Sequence, residues 1–275
     1  ENPDVDLETI LSDCTIDKKI EVELQSLRIA INAGTTREPL EASLVEMFQN
    51  SMDAIRLKPG AECEINVRAA VGGLDTAWFG IEDRGTGIPD LLTLLIPYYS
   101  RKDSSTSVGQ MGNGFFNVYR SAIRVYIKNC VDGTSTTHLL AECVRDKSGG
   151  VQDVQYDMWH EKTKTCAQGA TIMIETPTPS PDAYVASART FAQQAFSHKV
   201  TPKQRRKAAR VCFNSENLVS SDAGELLWDD AIVDGLGSRL VVTTGGSTIP
   251  SVMLYDGVYL NTLKMVMDQT EGPVP

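Results

Sequence analysis

The stretch ECEINVR, residues 62–68, sets Cys63, Ile65 and Val67 against Glu62, Glu64, Asn66 and Arg68, the two-residue period of a half-buried strand. Gly72-Gly73 make a turn, and TAWFGIED at 76–83 is a second strand, so the pair reads as a hairpin ending at Asp83. The run RGTGIPD that follows cannot prolong it. Two glycines and a proline demand a different backbone path.

Upstream, LVEMFQNSMDAIRLKPG at 44–60 reads as an amphipathic helix with a stop signal at Pro59-Gly60. Leu40, Leu44, Met47, Phe48, Met52 and Ile55 fall on one side, the side expected to pack on a core. At about 100° per residue, Glu46, Asn50 and Asp53 lie within roughly 60° of one another on the other side. Taken alone, this acid-amide-acid stripe is what a solvated helix face also presents.

Residues 91–108 start apolar and become Ser/Thr-rich, which predicts a short helix running into a loop, and VGQMGNGFFNVYRSA then returns to helix. IRVYIKN, TTHLLAECV, VQDVQYDMW and ATIMIET follow as strands. SPDAYVASARTFAQQAF is a second amphipathic helix with Tyr184, Ala188, Phe191 and Ala195 on one side. Strand pairs with helices segregated to one face predict an α+β two-layer sandwich with a mixed, mostly antiparallel sheet. The expected organisation is one domain over 1–200, with 201–275 as a C-terminal extension or the start of a second domain. That last part contains a basic helix, an irregular SENLVSSDAG and a hairpin in RLVVTTGGSTIPSVMLYDGVYL.

Composition narrows the function classes. The formal charge of -10 argues against a broad nucleic-acid footprint, and the one basic cluster, Lys203 to Lys207, reads as a solvated helix start. No apolar run near 18 residues and no signal segment stand out, so neither a membrane nor a secreted protein is expected. Six scattered cysteines without a C-x-x-C pair suggest neither a zinc site nor a disulfide scaffold, and a reducing intracellular compartment, cytoplasm or nucleus, is expected. The start at Glu1-Asn2-Pro3, without methionine, is expected of a processed product or an excised piece whose partner domains lie elsewhere.

Three segments make sense together: Glu46-x-x-x-Asn50-x-x-Asp53, Asp83-Arg-Gly85-Thr-Gly87-Ile88 at a strand end, and Gly109-Gln110-Met111-Gly112-Asn113-Gly114-Phe115 opening a helix. Each is weak alone. Their order and spacing resemble the GHKL ATPases, the superfamily of gyrase, the ninety-kilodalton heat-shock chaperones, histidine kinases and MutL. VGQMGNGFFNVYRSAIRVYIKN looks most like the chaperones and the MORC ATPases, with Asn113 between glycines nearer the MORC version. The resemblance covers roughly residues 38–195 and implies a Bergerat-type ATP-binding fold that uses ATP and Mg²⁺.

Each motif then has a physical task. Asn50 suits an octahedral Mg²⁺ shell because its side-chain oxygen adds no charge. Glu46, one turn earlier, has in hydrolysing relatives the role of orienting or deprotonating the attacking water. Asp53 is expected to hold neighbouring backbone or ordered water. Asp83 can accept the adenine exocyclic amine, which selects against guanine because a carbonyl there offers no donor. Gly85 and Gly87 let the chain pass close to the base, and Ile88 packs on it. Gly109, Gly112 and Gly114, with Gln110 and Phe115, present backbone N–H groups to phosphate.

The chain departs from the family at Gln168-Gly169-Ala170-Thr171, where relatives carry Gly-Thr; Thr171 replaces that hydroxyl only with a shift of register. Lys102 reads either as a phosphate contact of a closing lid or as an exposed loop lysine. Lys264 and Arg205-Arg206 are further choices for a cation at the γ-phosphate. No G-x-x-x-x-G-K-[ST] and no G-x-G-x-x-G after a first strand is present. The resemblance implies an ATPase whose lid and dimer state follow the nucleotide within a larger machine, with a non-hydrolytic, nucleotide-gated interaction module as the alternative. Nucleic acid is a possible partner that the charge does not indicate.

Overall fold

The structure is a computed structural model that describes residues 18–20, 38–58, 64–95, 114–162, 165–196, 210–218, 226–231, 239–243, 252–255 and 258–262. Its centre is a nine-stranded, mostly antiparallel sheet in the order β1-β6-β5-β4-β7-β3-β2-β8-β9. These strands are β1 (Lys18–Ile20), β2 (Glu64–Val71), β3 (Thr76–Asp83), β4 (Arg124–Cys130), β5 (Ser135–Arg145), β6 (Val151–Lys162), β7 (Gly169–Pro177), β8 (Arg210–Phe213) and β9 (Glu216–Asn217). Among the described strands only β2 and β8 run parallel. Among the described residues two α-helices accompany the sheet, α1 (Pro39–Arg56) and α2 (Pro181–Phe196), so the architecture is mixed α/β.

The predicted hairpin is present, with Val67 opposite Ile81 and Ile65 opposite Asp83. α1 buries the expected face: Leu44, Met47, Phe48 and Ile55 are buried, with Leu40 and Met52 packed against them. This face joins Ile65, Val67, Phe79, Ile81, Val125, Ile127, Ile172 and Ile174 in one core, to which α2 adds Ala188, Phe191 and Ala195. Phe48 stacks on Phe196 with ring centroids 4.1 Å apart, tying the two helices together. Trp78, Tyr126, Leu140 and Met173, each adjacent in sequence to a residue of that core, join Trp159 in a second cluster. Strand alternation puts that cluster on the other face of the sheet.

Three expectations need correction. Asn66 is buried at 4% exposure rather than facing solvent. β8 runs along β2, and the β8–β9 turn covers Asn66, whose carboxamide donates to Ser215 Oγ and accepts from Ser215 N–H. Residues 210–217, within the expected C-terminal extension, add β8 and β9 to the edge of the main sheet. The helix expected after Gly114 is a 3-10 helix, Gly114–Arg120. Its buried side chains recur every three residues, Phe115 with Val118 and Phe116 with Tyr119, the repeat of that tighter helix.

The third correction is covalent. Cys130 and Cys166 form a disulfide. Such bonds persist in oxidising settings, so the bond weighs against the expected reducing compartment. Among the described residues, no helix is long and apolar enough to cross a membrane.

A second, four-stranded sheet runs β10-β11-β12-β13, namely Leu226–Ala231, Arg239–Thr243, Val252–Tyr255 and Val258–Thr262. β11 and β12 pair antiparallel, as the predicted hairpin requires. The basic cluster at 203–207 and the stop signal Pro59-Gly60 lie outside the described residues.

Gly80 shows how tightly the main sheet is built, since a Cβ there would lie 1.9 Å from the Ile172 carbonyl oxygen. Backbone cannot yield as a side chain does. Gly80→Ala is expected to cost about 2 kcal/mol or more, measured as a lower denaturant midpoint with an unchanged m-value.

Candidate functional site

The polar stripe of α1 is not plain solvated surface. Glu46 and Asn50 are half-buried, and Asp53 is buried at 6% exposure. A charged group rarely sits that deep without a structural or chemical use.

The loop after β3 sits against the same helix. Ser51, next to Asn50, donates its hydroxyl to Asp83 Oδ2 at 2.9 Å. Thr86 N–H donates to the Ala54 carbonyl at 3.3 Å, and a Cβ on Gly85 would come within 2.7 Å of Ala54 Cβ. Gly85 is therefore required by close approach to α1. Asp83 Oδ1 accepts Gly85 N–H at 2.8 Å, and the carboxyl also accepts the Ala170 N–H.

Gly87 has φ 71°, and a Cβ there would lie 2.6 Å from the Cys130 carbonyl oxygen. Ile88 is partly buried and packs against the main core. Its backbone is gripped at both ends: Asn129 Oδ1 accepts Ile88 N–H, and Asn129 Nδ2 donates to Ile88 C=O, each at 2.8 Å. Gln168 Nε2 donates to Thr86 O at 3.3 Å and to Val131 O at 2.7 Å. Ser51 and Asn129 were not singled out in the sequence, and Gln168 only as part of the stretch that departs from the family pattern. A strand-ending asparagine or a serine beside a polar stripe carries no local signal of a partner dozens of residues away.

At the other end of the stripe, Ser43 donates its hydroxyl to the Asn117 carbonyl at 3.3 Å, which brings the 3-10 helix onto α1. On a helical wheel Ser43, Asn50 and Ala54 lie within about 60° of one another. The Asp83 loop, with Gly85, Gly87 and Ile88, thus meets α1 at Ser51 and Ala54, and the 3-10 helix that Gly114 opens meets it at Ser43, while Glu46, Asn50 and Asp53 stand on the same helix. The Phe115 side chain is buried in the core, edge-on to Tyr119 at 6.0 Å, so only its backbone is available to a ligand. Lys102, Gly109, Gln110, Met111, Gly112 and Asn113 lie outside the described residues, as do Lys264 and Arg205-Arg206.

Thr171 does not join them. It stands opposite Glu82 on β3 and Lys128 on β4, one step out of phase with Asp83. Register parity therefore puts its side chain on the other sheet face. Ala170, which follows the Asp83 face, has no hydroxyl to offer.

Burial raises the Asp83 carboxyl above its ordinary 3.8, opposed by the hydrogen bonds from Gly85, Ser51 and Ala170. Between pH 3.8 and the folded value, the folded chain therefore holds a proton that the unfolded chain has released. The resulting stability is fully present below pH 3.8 and is lost as pH rises through the folded value. The difference in unfolding free energy between wild type and Asp83→Asn is expected to shrink from pH 3.8 toward neutrality, read by denaturant titration at several pH values. A constant difference would show that Asp83 titrates alike in both states.

Cys130, Asp132 and Cys166 place their ligand atoms within 4.8 Å of one another. The two sulfurs are bonded to each other, so the trio is a cystine beside a carboxylate and offers no thiolate to a metal. Comparison with protein-family models and with curated proteins finds no match.

Proposed function

We propose that this chain is an ATP-binding, Mg²⁺-dependent ATP-hydrolysing domain of the GHKL type, a Bergerat-type two-layer α/β sandwich. The observation that carries the reading is the meeting of α1 with the Asp83 loop, in which Ser51 reaches Asp83 and Thr86 reaches Ala54. The acid-amide-acid stripe lies on the same helix as Ser51 and Ala54, which supports a site shared with the buried carboxylate and the close-approach glycine turn. The helices share one core cluster with the sheet while the other cluster contains no helical residue, which supports the two-layer reading.

The donor set fits the implied groups. Half-buried Glu46 and Asn50 and buried Asp53 offer the hard oxygens that Mg²⁺ prefers, and Asn50 is the assigned ligand. Bound Mg²⁺ would neutralise charge on the β- and γ-phosphates. Glu46 then offers a carboxylate to orient a water and take its proton. Asp83 receives the adenine amine, and the 84–88 loop, pinned by Asn129, holds a fixed wall for the base.

The test is steady-state phosphate release from Mg-ATP over a range of protein concentrations. A hydrolysing domain that dimerises on ATP releases phosphate with a specific activity that rises with concentration. Ala170, which sets no hydroxyl on the Asp83 face, favours a second reading, a nucleotide-gated interaction module without turnover. Nucleotide binding with no phosphate release at any concentration would select it.

A further inference from the structure

We infer that the Cys130–Cys166 disulfide is a redox-sensitive fastening of the 84–88 loop, so that its reduction by a dithiol loosens this loop. The two half-cystines flank the loop from two sides. Cys130 ends β4 directly after Asn129, whose carboxamide grips both backbone polar groups of Ile88. Its own carbonyl occupies the space that Gly87 leaves open.

Cys166 anchors the other side. Its N–H donates to Gly133 O, and two residues later Gln168 reaches Thr86 O and Val131 O. Gly169, with φ 140°, then passes so close that a Cβ would lie 2.0 Å from the Asp83 carbonyl oxygen. The stretch 165–168 precedes β7 and is not strand, so the cystine and these few bonds tie it to the end of β4. Opening the bond frees one wall of the loop.

The chemistry is ordinary thiol–disulfide exchange. Cys130 is buried at 3% exposure whereas Cys166 is only partly covered, so a dithiol meets the Cys166 sulfur first. The attacking thiolate bonds to Cys166 Sγ, the S–S bond breaks, and Cys130 leaves as a thiolate that takes up a proton. The reductant's second thiol displaces Cys166 as its thiol and closes a disulfide within the reductant. Two electrons and two protons have entered the protein.

The loosening concerns the loop whatever it binds; its effect on nucleotide affinity rests on the function proposed above. The experiment compares amide hydrogen exchange and ADP calorimetry in wild type prepared without reductant, in the same protein titrated with dithiothreitol, and in Cys166→Ser. Exchange at Thr86 and Ile88 is expected to rise at least about tenfold on reduction, with the β2–β3 ladder unchanged. ADP affinity is expected to fall at least about fivefold.

Equal loop exchange in both redox states overturns the inference. So does free thiol at both positions before reductant is added. Loss of protection in the β2–β3 ladder equal to that at Ile88 would mean general destabilisation and likewise overturns it. If Cys166→Ser does not fold, the dithiothreitol titration of wild type decides. Redox-dependent loop exchange in a protein that binds no ADP upholds the fastening and removes the nucleotide reading alone.

Discussion

Alanine in place of Glu46 is expected to lower ATP turnover by about 10²- to 10⁴-fold while ADP affinity stays within about threefold of wild type. Glu46 sits half-buried on the polar stripe of α1, on the side away from Leu44, Phe48 and Ile55. Its removal empties no volume in the core, so stability is expected to change by only about 0.5 kcal/mol. Glu46→Gln sharpens the test, because it keeps the shape and loses the proton-accepting charge. Phosphate release by either variant at the wild-type rate would take Glu46 out of the reaction.

Asp83→Asn is expected to weaken adenine-nucleotide binding by at least about 100-fold, roughly 3 kcal/mol of lost charge-assisted hydrogen bonding. The wild-type carboxyl accepts from Ser51, Gly85 and Ala170 in a buried setting. An amide keeps one acceptor and replaces the other with two donors. Turned one way it keeps the Gly85 bond, and the Ser51 hydroxyl can rotate to accept. The fold is therefore expected to survive, seen as an unchanged circular dichroism spectrum, while the acceptor for an exocyclic amine is lost. Calorimetry with ADP reads the effect, and wild-type affinity in this variant would mean that the base is not held by Asp83.

Much of this arrangement was legible in the sequence because it rests on short-range periodicity. The apolar face of α1 follows from a 3.6-residue repeat, and the β2–β3 hairpin from a two-residue repeat with a glycine turn. Asp83, Gly85 and Gly87 were legible because the chain must change direction after β3, and few residue types permit that.

What stayed hidden depends on pairing across long separations. Asn66 looks exposed from its own strand and is buried because β8, about 145 residues later, lies beside β2. Thr171 fails as a site residue through register parity against β3, which its own strand does not reveal. Asn129 and Gln168 hold the Asp83 loop from separate segments, and six cysteines left the Cys130–Cys166 pairing undetermined. The 3-10 geometry of Gly114–Arg120 comes from packing of its aromatic side chains, which overrides a helical reading of the same residues.

Titration of the chain with ADP and, separately, with GDP by calorimetry tests most directly whether the α1 stripe and the Asp83 loop form an adenine-nucleotide site. Saturable binding of about one ADP per chain is expected, with GDP at least about tenfold weaker because a carbonyl faces the Asp83 carboxylate where adenine has an amine. No measurable binding of ADP, or equal binding of the two nucleotides, would contradict such a site.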